Sequence, residues 1–64
     1  MTAQFLINYF KSQIKSNKIQ LDNLDWAQLV FDENGEVVVE NEHGTQFPVT
    51  DLSKAEMDIF YDNI

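Results

Sequence analysis

AQLVFDENGEVVVENEHGTQFPVT, residues 27–50, alternates apolar and polar residues around two glycine-containing breaks. A period of two marks a half-buried strand. Ala27, Leu29 and Phe31 form one apolar set, Val37 and Val39 a second, Phe47 and Val49 a third. Asn34-Gly35 is a strong hairpin signal. A loop of those two residues alone would pair Phe31 with Val38 and Leu29 with Glu40, turning Glu36 and Glu40 onto the apolar face. A three-residue loop, Glu33-Asn34-Gly35 with Gly35 left-handed, pairs Asp32 with Glu36, Phe31 with Val37 and Leu29 with Val39. A slip of one residue moves every side chain to the other face, so the three-residue loop is expected. Glu42-His43-Gly44 repeats the device, pairing Asn41 with Thr45, Val39 with Phe47 and Val37 with Val49. Pro48 has no N–H for a ladder and fits an edge strand. The segment therefore predicts a three-stranded antiparallel meander.

Helices are expected on both sides of it. Ala3, Leu6, Ile7, Phe10 and Ile14 follow the 3, 4, 7 spacing of one helical face, so Thr2 to about Lys18 reads as a helix capped by Thr2. Phe5 and Tyr9 lie beyond that stripe and widen the apolar arc to about 200°. At least one of them is expected to stay exposed unless a partner covers it. Ser53-Lys54-Ala55-Glu56 is a capping-box sequence, with Leu52 and Met57 at the staple positions. Met57, Phe60, Tyr61 and Ile64 give the second helix its sheet-facing side. In residues 19–26, Ile19 and Leu21 alternate like a short strand and Asp22-Asn23 reads as a turn. The expected fold is α+β, one α-β-β-β-α domain over residues 1–64 with both helices on one sheet face. Trp26, Gln28, Val30, Asp32, Glu36, Val38, Glu40, Gln46 and Pro48 fall on the other face, which no element is left to cover.

Sixty-four residues without cysteine must be held by an ordinary core, and a chain this short is stable by roughly 3–10 kcal/mol. Eleven Asp and Glu against four Lys give a net charge of −7. The split is uneven. Residues 1–18 carry three lysines and no acid; residues 19–64 carry one lysine against all eleven acids, a net −10. This excludes nucleic-acid binding through a basic footprint and a helix that seeks anionic membranes. Apolar runs reach only three residues, too short to span a bilayer, and the first residues lack a signal-peptide core. A cytoplasmic protein, in a bacterial host cell, is the expectation.

Catalytic chemistry finds little support. His43 is alone and sits in a turn, and Ser12, Ser16 and Ser53 read as helix-surface or cap residues. Asp32-Glu33-Asn34-Gly35-Glu36 alternates oxygen ligands but lacks the length and spacing of a calcium loop. No cofactor or metal is expected, and the chain reads as a non-enzyme. The acids either keep a small protein soluble or serve a basic partner. Asp32 opposite Glu36, and Asp58 four residues before Asp62, are like-charge pairs that cost stability, which favours the second view. Trp26, Val30, Val38 and Pro48 would form an apolar patch within the acidic rim, unless Trp26 folds under residues 19–25 as part of the core. The residues expected to bind a partner are Asp32, Glu33, Glu36, Glu40, Glu42, Trp26, Val30 and Val38, with Asp58 and Asp62 second.

The α-β-β-β-α order resembles the double-stranded-RNA-binding domain. That family reads RNA with a lysine cluster opening its second helix; the matching stretch here, Ser53-Lys54-Ala55-Glu56-Met57-Asp58, holds one lysine among acids. In size, acidity and architecture the chain also resembles small phage-encoded inhibitors, including some anti-CRISPR proteins, which use carboxylates to imitate phosphates. That resemblance implies a non-enzymatic acidic inhibitor occupying the nucleic-acid site of a basic protein, such as a nuclease. An antitoxin or immunity-type protein masking a basic toxin would use the same physics. A self-associating assembly protein, dimerising through Phe5 and Tyr9, is the contrasting expectation.

Overall fold

The computed structural model describes residues 1–16 and 26–64. The expected helical end at Lys18, the alternation at Ile19 and Leu21 and the turn at Asp22-Asn23 lie outside them. Helix α1 spans Ala3–Lys15, strands β1, β2 and β3 span Ala27–Phe31, Val37–Asn41 and Gln46–Pro48, and helix α2 spans Lys54–Asn63. The strands form one antiparallel sheet in the order β1-β2-β3, giving the α-β-β-β-α architecture.

The register is the one the apolar alternation requires. Phe31 pairs with Val37, Leu29 with Val39, and Val39 with Phe47. Both turns are built alike. Gly35 N–H donates to the Asp32 carbonyl and Gly44 N–H to the Asn41 carbonyl, each at 3.0 Å. Both glycines are left-handed, with φ of 79° and 80°. A side-chain oxygen then fastens each loop: Asp32 Oδ1 accepts from the N–H groups of Asn34 and Glu36, and Asn41 Oδ1 from those of His43 and Thr45. A short side-chain acceptor that mimics a backbone turn is why Asp and Asn occupy these positions.

The core lies between the sheet and the helices. Leu6 and Phe10 of α1, Ala27, Leu29, Val37 and Val39 of the sheet, and Val49, Leu52, Met57 and Phe60 beyond it are buried together. Thr2 caps α1 by accepting from Phe5 N–H. Ser53 and Glu56 form both arms of the capping box on α2, and the staple residues Leu52 and Met57 are buried beside it.

The structure corrects two expectations, for Val49 and Trp26. Val49 does not pair with Val37: β3 ends at Pro48 and Val49–Asp51 form a single 3-10 turn. Val49 still reaches the core, 2% exposed, because the turn folds it under the sheet rather than along it. Phe31 meets Phe10 at a ring distance of 5.7 Å but is 43% exposed, since it stands at the strand end beside the first turn. Trp26 does not join the uncovered face. Its carbonyl still accepts from Glu42 N–H at 3.0 Å, in register with the β1–β2 ladder, but at this corner of the sheet its ring meets the buried Phe60 of α2 edge-on at 5.5 Å.

Candidate interaction surface

The sheet face that no described element covers is a grid fixed by the register. Val30, Val38 and Pro48 lie side by side across the three strands. Two residues along, on one side, stand Asp32 and Glu36; two residues along on the other stand Gln28, Glu40 and Gln46. An apolar row about 10 Å wide thus separates carboxylates that are about 13 Å apart along β2. Val30 and Val38 are half-buried, and Pro48 is exposed. Pro48 opposes Val38 at a position where the ladder makes no bond, because Asn41 N–H to the Thr45 carbonyl sets the bonded pairs at odd positions of β2. Its missing N–H therefore costs the sheet nothing.

The acids of this face differ in what holds them. Asp32 is occupied by its turn through two hydrogen bonds of 2.9 Å, one of them from Glu36 N–H. Those bonds offset the repulsion expected between the Asp32 and Glu36 carboxylates and give Asp32 a structural reason to be there. Glu40 Oε1 accepts from Gln46 Nε2 across the strands at 3.4 Å. Glu33 and Glu36 are exposed. Glu42 lies 3.6 Å from His43 Nε2 in the second turn, with both side chains mostly in solvent. Among the described residues no lysine comes within 4.0 Å of a carboxylate.

Not all the expected residues come together. Asp32, Glu36, Glu40, Val30 and Val38 share the open face, and Glu33 and Glu42 stand in the turns at its opposite ends. Asp58 and Asp62 are exposed on α2, in the layer across the core, and Trp26 packs toward that layer too. The second surface expected at Phe5 and Tyr9 gains a residue there. Tyr61, expected only as a core residue, meets Tyr9 at 4.6 Å and Phe5 at 5.9 Å, and Phe5 stacks beside Tyr9 at 6.5 Å. Phe5 is 51% exposed.

Among the described residues no ionisable side chain is buried, and no three His, Cys, Asp or Glu stand where they could hold a metal ion. No helix among them is long and apolar enough to cross a membrane. No protein-family model, curated protein or solved structure matches the chain.

Proposed function

We propose that this chain is a non-enzymatic acidic binding protein that inhibits a basic nucleic-acid-binding protein by occupying its nucleic-acid site. The observation that carries the proposal is the uncovered grid, in which an apolar row lies between carboxylates that no described lysine neutralises. Salt-free carboxylates around an apolar strip suit a groove that binds phosphates at its rim and stacks or packs apolar groups at its floor. A net charge of −7 on 64 residues steers such a partner from a distance, and the grid sets the docked pose. Glu36 and Glu40 are the anchors, Glu33 and Glu42 extend the charge at the two turns, and Asp32 adds charge from a position its turn already requires. Counter-defence by a phage is the biological setting that fits this activity.

The test is displacement. Fluorescently labelled duplex DNA or single-stranded RNA is bound to each of a panel of basic nucleases and nucleic-acid-binding proteins, and the chain is added. Competitive release with one of them, weakening steeply as salt rises, is the expected result. Glu36→Lys with Glu40→Lys should keep the fold and weaken competition at least tenfold. A partner that binds the chain and its nucleic acid together would overturn the proposal.

A further inference from the structure

Asn34 is followed by Gly35, and that neighbour gives the first turn a chemistry of its own. The amide carbon of an asparagine side chain lies within reach of the next residue's backbone nitrogen. Attack by that nitrogen closes a succinimide ring, and the side chain of the following residue normally obstructs it. Glycine has no side chain and leaves the backbone free to turn. The other asparagines, Asn8, Asn17, Asn23, Asn41 and Asn63, precede tyrosine, lysine, leucine, glutamate and isoleucine. Asn34 and Gly35 are also exposed, so water and base reach both. The fold sets a restraint against the reaction. Gly35 N–H, the nucleophile once deprotonated, donates to the Asp32 carbonyl at 3.0 Å. Asp32 Oδ1 holds the N–H groups on either side, those of Asn34 and Glu36, at 2.9 Å. The same turn fixes Gly35 at a φ of 79°.

We propose that Asn34 is a site of spontaneous deamidation, which the folded turn holds in check and local opening of the turn releases. The only co-reactants are water and hydroxide. Hydroxide takes the Gly35 amide proton, and the nitrogen attacks Asn34 Cγ. The new Cγ–N bond forms and the Cγ–Nδ2 bond breaks. Nδ2 leaves as ammonia with a proton from water, which returns the hydroxide. Water then adds to one of the two ring carbonyls and opens the ring. One product is aspartate. The other is isoaspartate, whose main chain runs through the former side-chain carbons. Both add one negative charge to the end of the grid where Asp32, Glu33 and Glu36 already stand. Isoaspartate also lengthens the loop by one backbone atom, so Gly35 N–H no longer meets the Asp32 carbonyl. The three-residue loop that keeps Glu36 off the core is closed by that bond. Isoaspartate therefore loosens the first hairpin and leaves the second, where His43 precedes Gly44, unmodified.

The full chain is incubated in mildly alkaline buffer, either folded or unfolded in guanidinium chloride. Peptides are then read by mass spectrometry for the mass gained when an amide NH2 becomes OH. In the unfolded chain Asn34 should convert first, giving aspartate and isoaspartate. In the folded chain the same conversion should be at least tenfold slower, because it waits for opening of the turn. Asp32→Ala removes the acceptor of two N–H groups beside the site. It should speed the folded chain at least threefold and leave the unfolded rate unchanged. Asp32→Asn keeps an acceptor and should leave both rates nearly unchanged. Ser53→Ala weakens the cap of α2 without touching the turn, so it should leave the folded rate unchanged as well. Folded and unfolded chains converting alike, another asparagine converting first in the unfolded chain, or Ser53→Ala matching Asp32→Ala would overturn the proposal.

Discussion

Asp32 and Asn41 do the same work nine residues apart, one with a carboxylate and one with an amide. The comparison within one molecule shows that the turn needs an oxygen acceptor and not a charge. Asp32→Asn is therefore expected to change stability by less than about 0.5 kcal/mol, whereas Asp32→Ala and Asn41→Ala, which strip two backbone N–H groups of their acceptor, should each cost about 1–2 kcal/mol in urea unfolding. Equal losses for Asp32→Asn and Asp32→Ala would show that the charge itself matters. The glycines of the same turns add a second expectation. A Cβ at Gly35 or Gly44 would meet nothing within 4 Å, so the cost of alanine is purely conformational. About 1 kcal/mol is expected for each, with Gly35→Asn costing less because asparagine tolerates the left-handed region.

Elements follow from such residues when local and long-range signals agree. The capping box of α2 was legible in Ser53 and Glu56 because its spacing is fixed by the helix itself. Ser53→Ala should lower stability by about 1 kcal/mol and the melting temperature by several degrees, measured by thermal unfolding. Strand register was legible because only one pairing keeps Glu36 and Glu40 off the core. The end of β3 was not: Val49 is apolar, and an apolar residue after Pro48 satisfies a strand or a buried turn equally well. Trp26 was missed because alternation assigns a backbone position to a face but not the reach of a long ring at the corner of an edge strand, and this ring meets Phe60. The grid was thus legible in its polar corners and its valines, while the tryptophan assigned to it belongs with Phe60.

At the scale of the molecule, ten apolar residues are buried among the described ones, and no described polar or charged residue is. Phe60 is 0% exposed and touches both the core and Trp26. Phe60→Ala should cost about 3–5 kcal/mol, which is most or all of the stability of a chain this size, so the variant is expected to lose its cooperative unfolding transition. Charge behaves in the opposite way. The acidic grid lies outside the core, so charge reversal there should leave the fold intact, whereas a change at Phe60 cannot.

The meander joins neighbours in sequence through two short turns, while α1 meets α2 through Tyr9 and Tyr61, at opposite ends of the described chain. Closing a short loop loses little entropy, and closing a long one loses more before any contact rewards it. Time therefore enters the architecture: the two hairpins are expected to form the folding nucleus and the helix pair to dock after the barrier. In stopped-flow kinetics Gly44→Ala should slow refolding, while Tyr61→Ala should leave refolding nearly unchanged and speed unfolding. The helix layer is then expected to open first, so contacts that hold it, Tyr9 with Tyr61 among them, should set the unfolding rate more than the turns do.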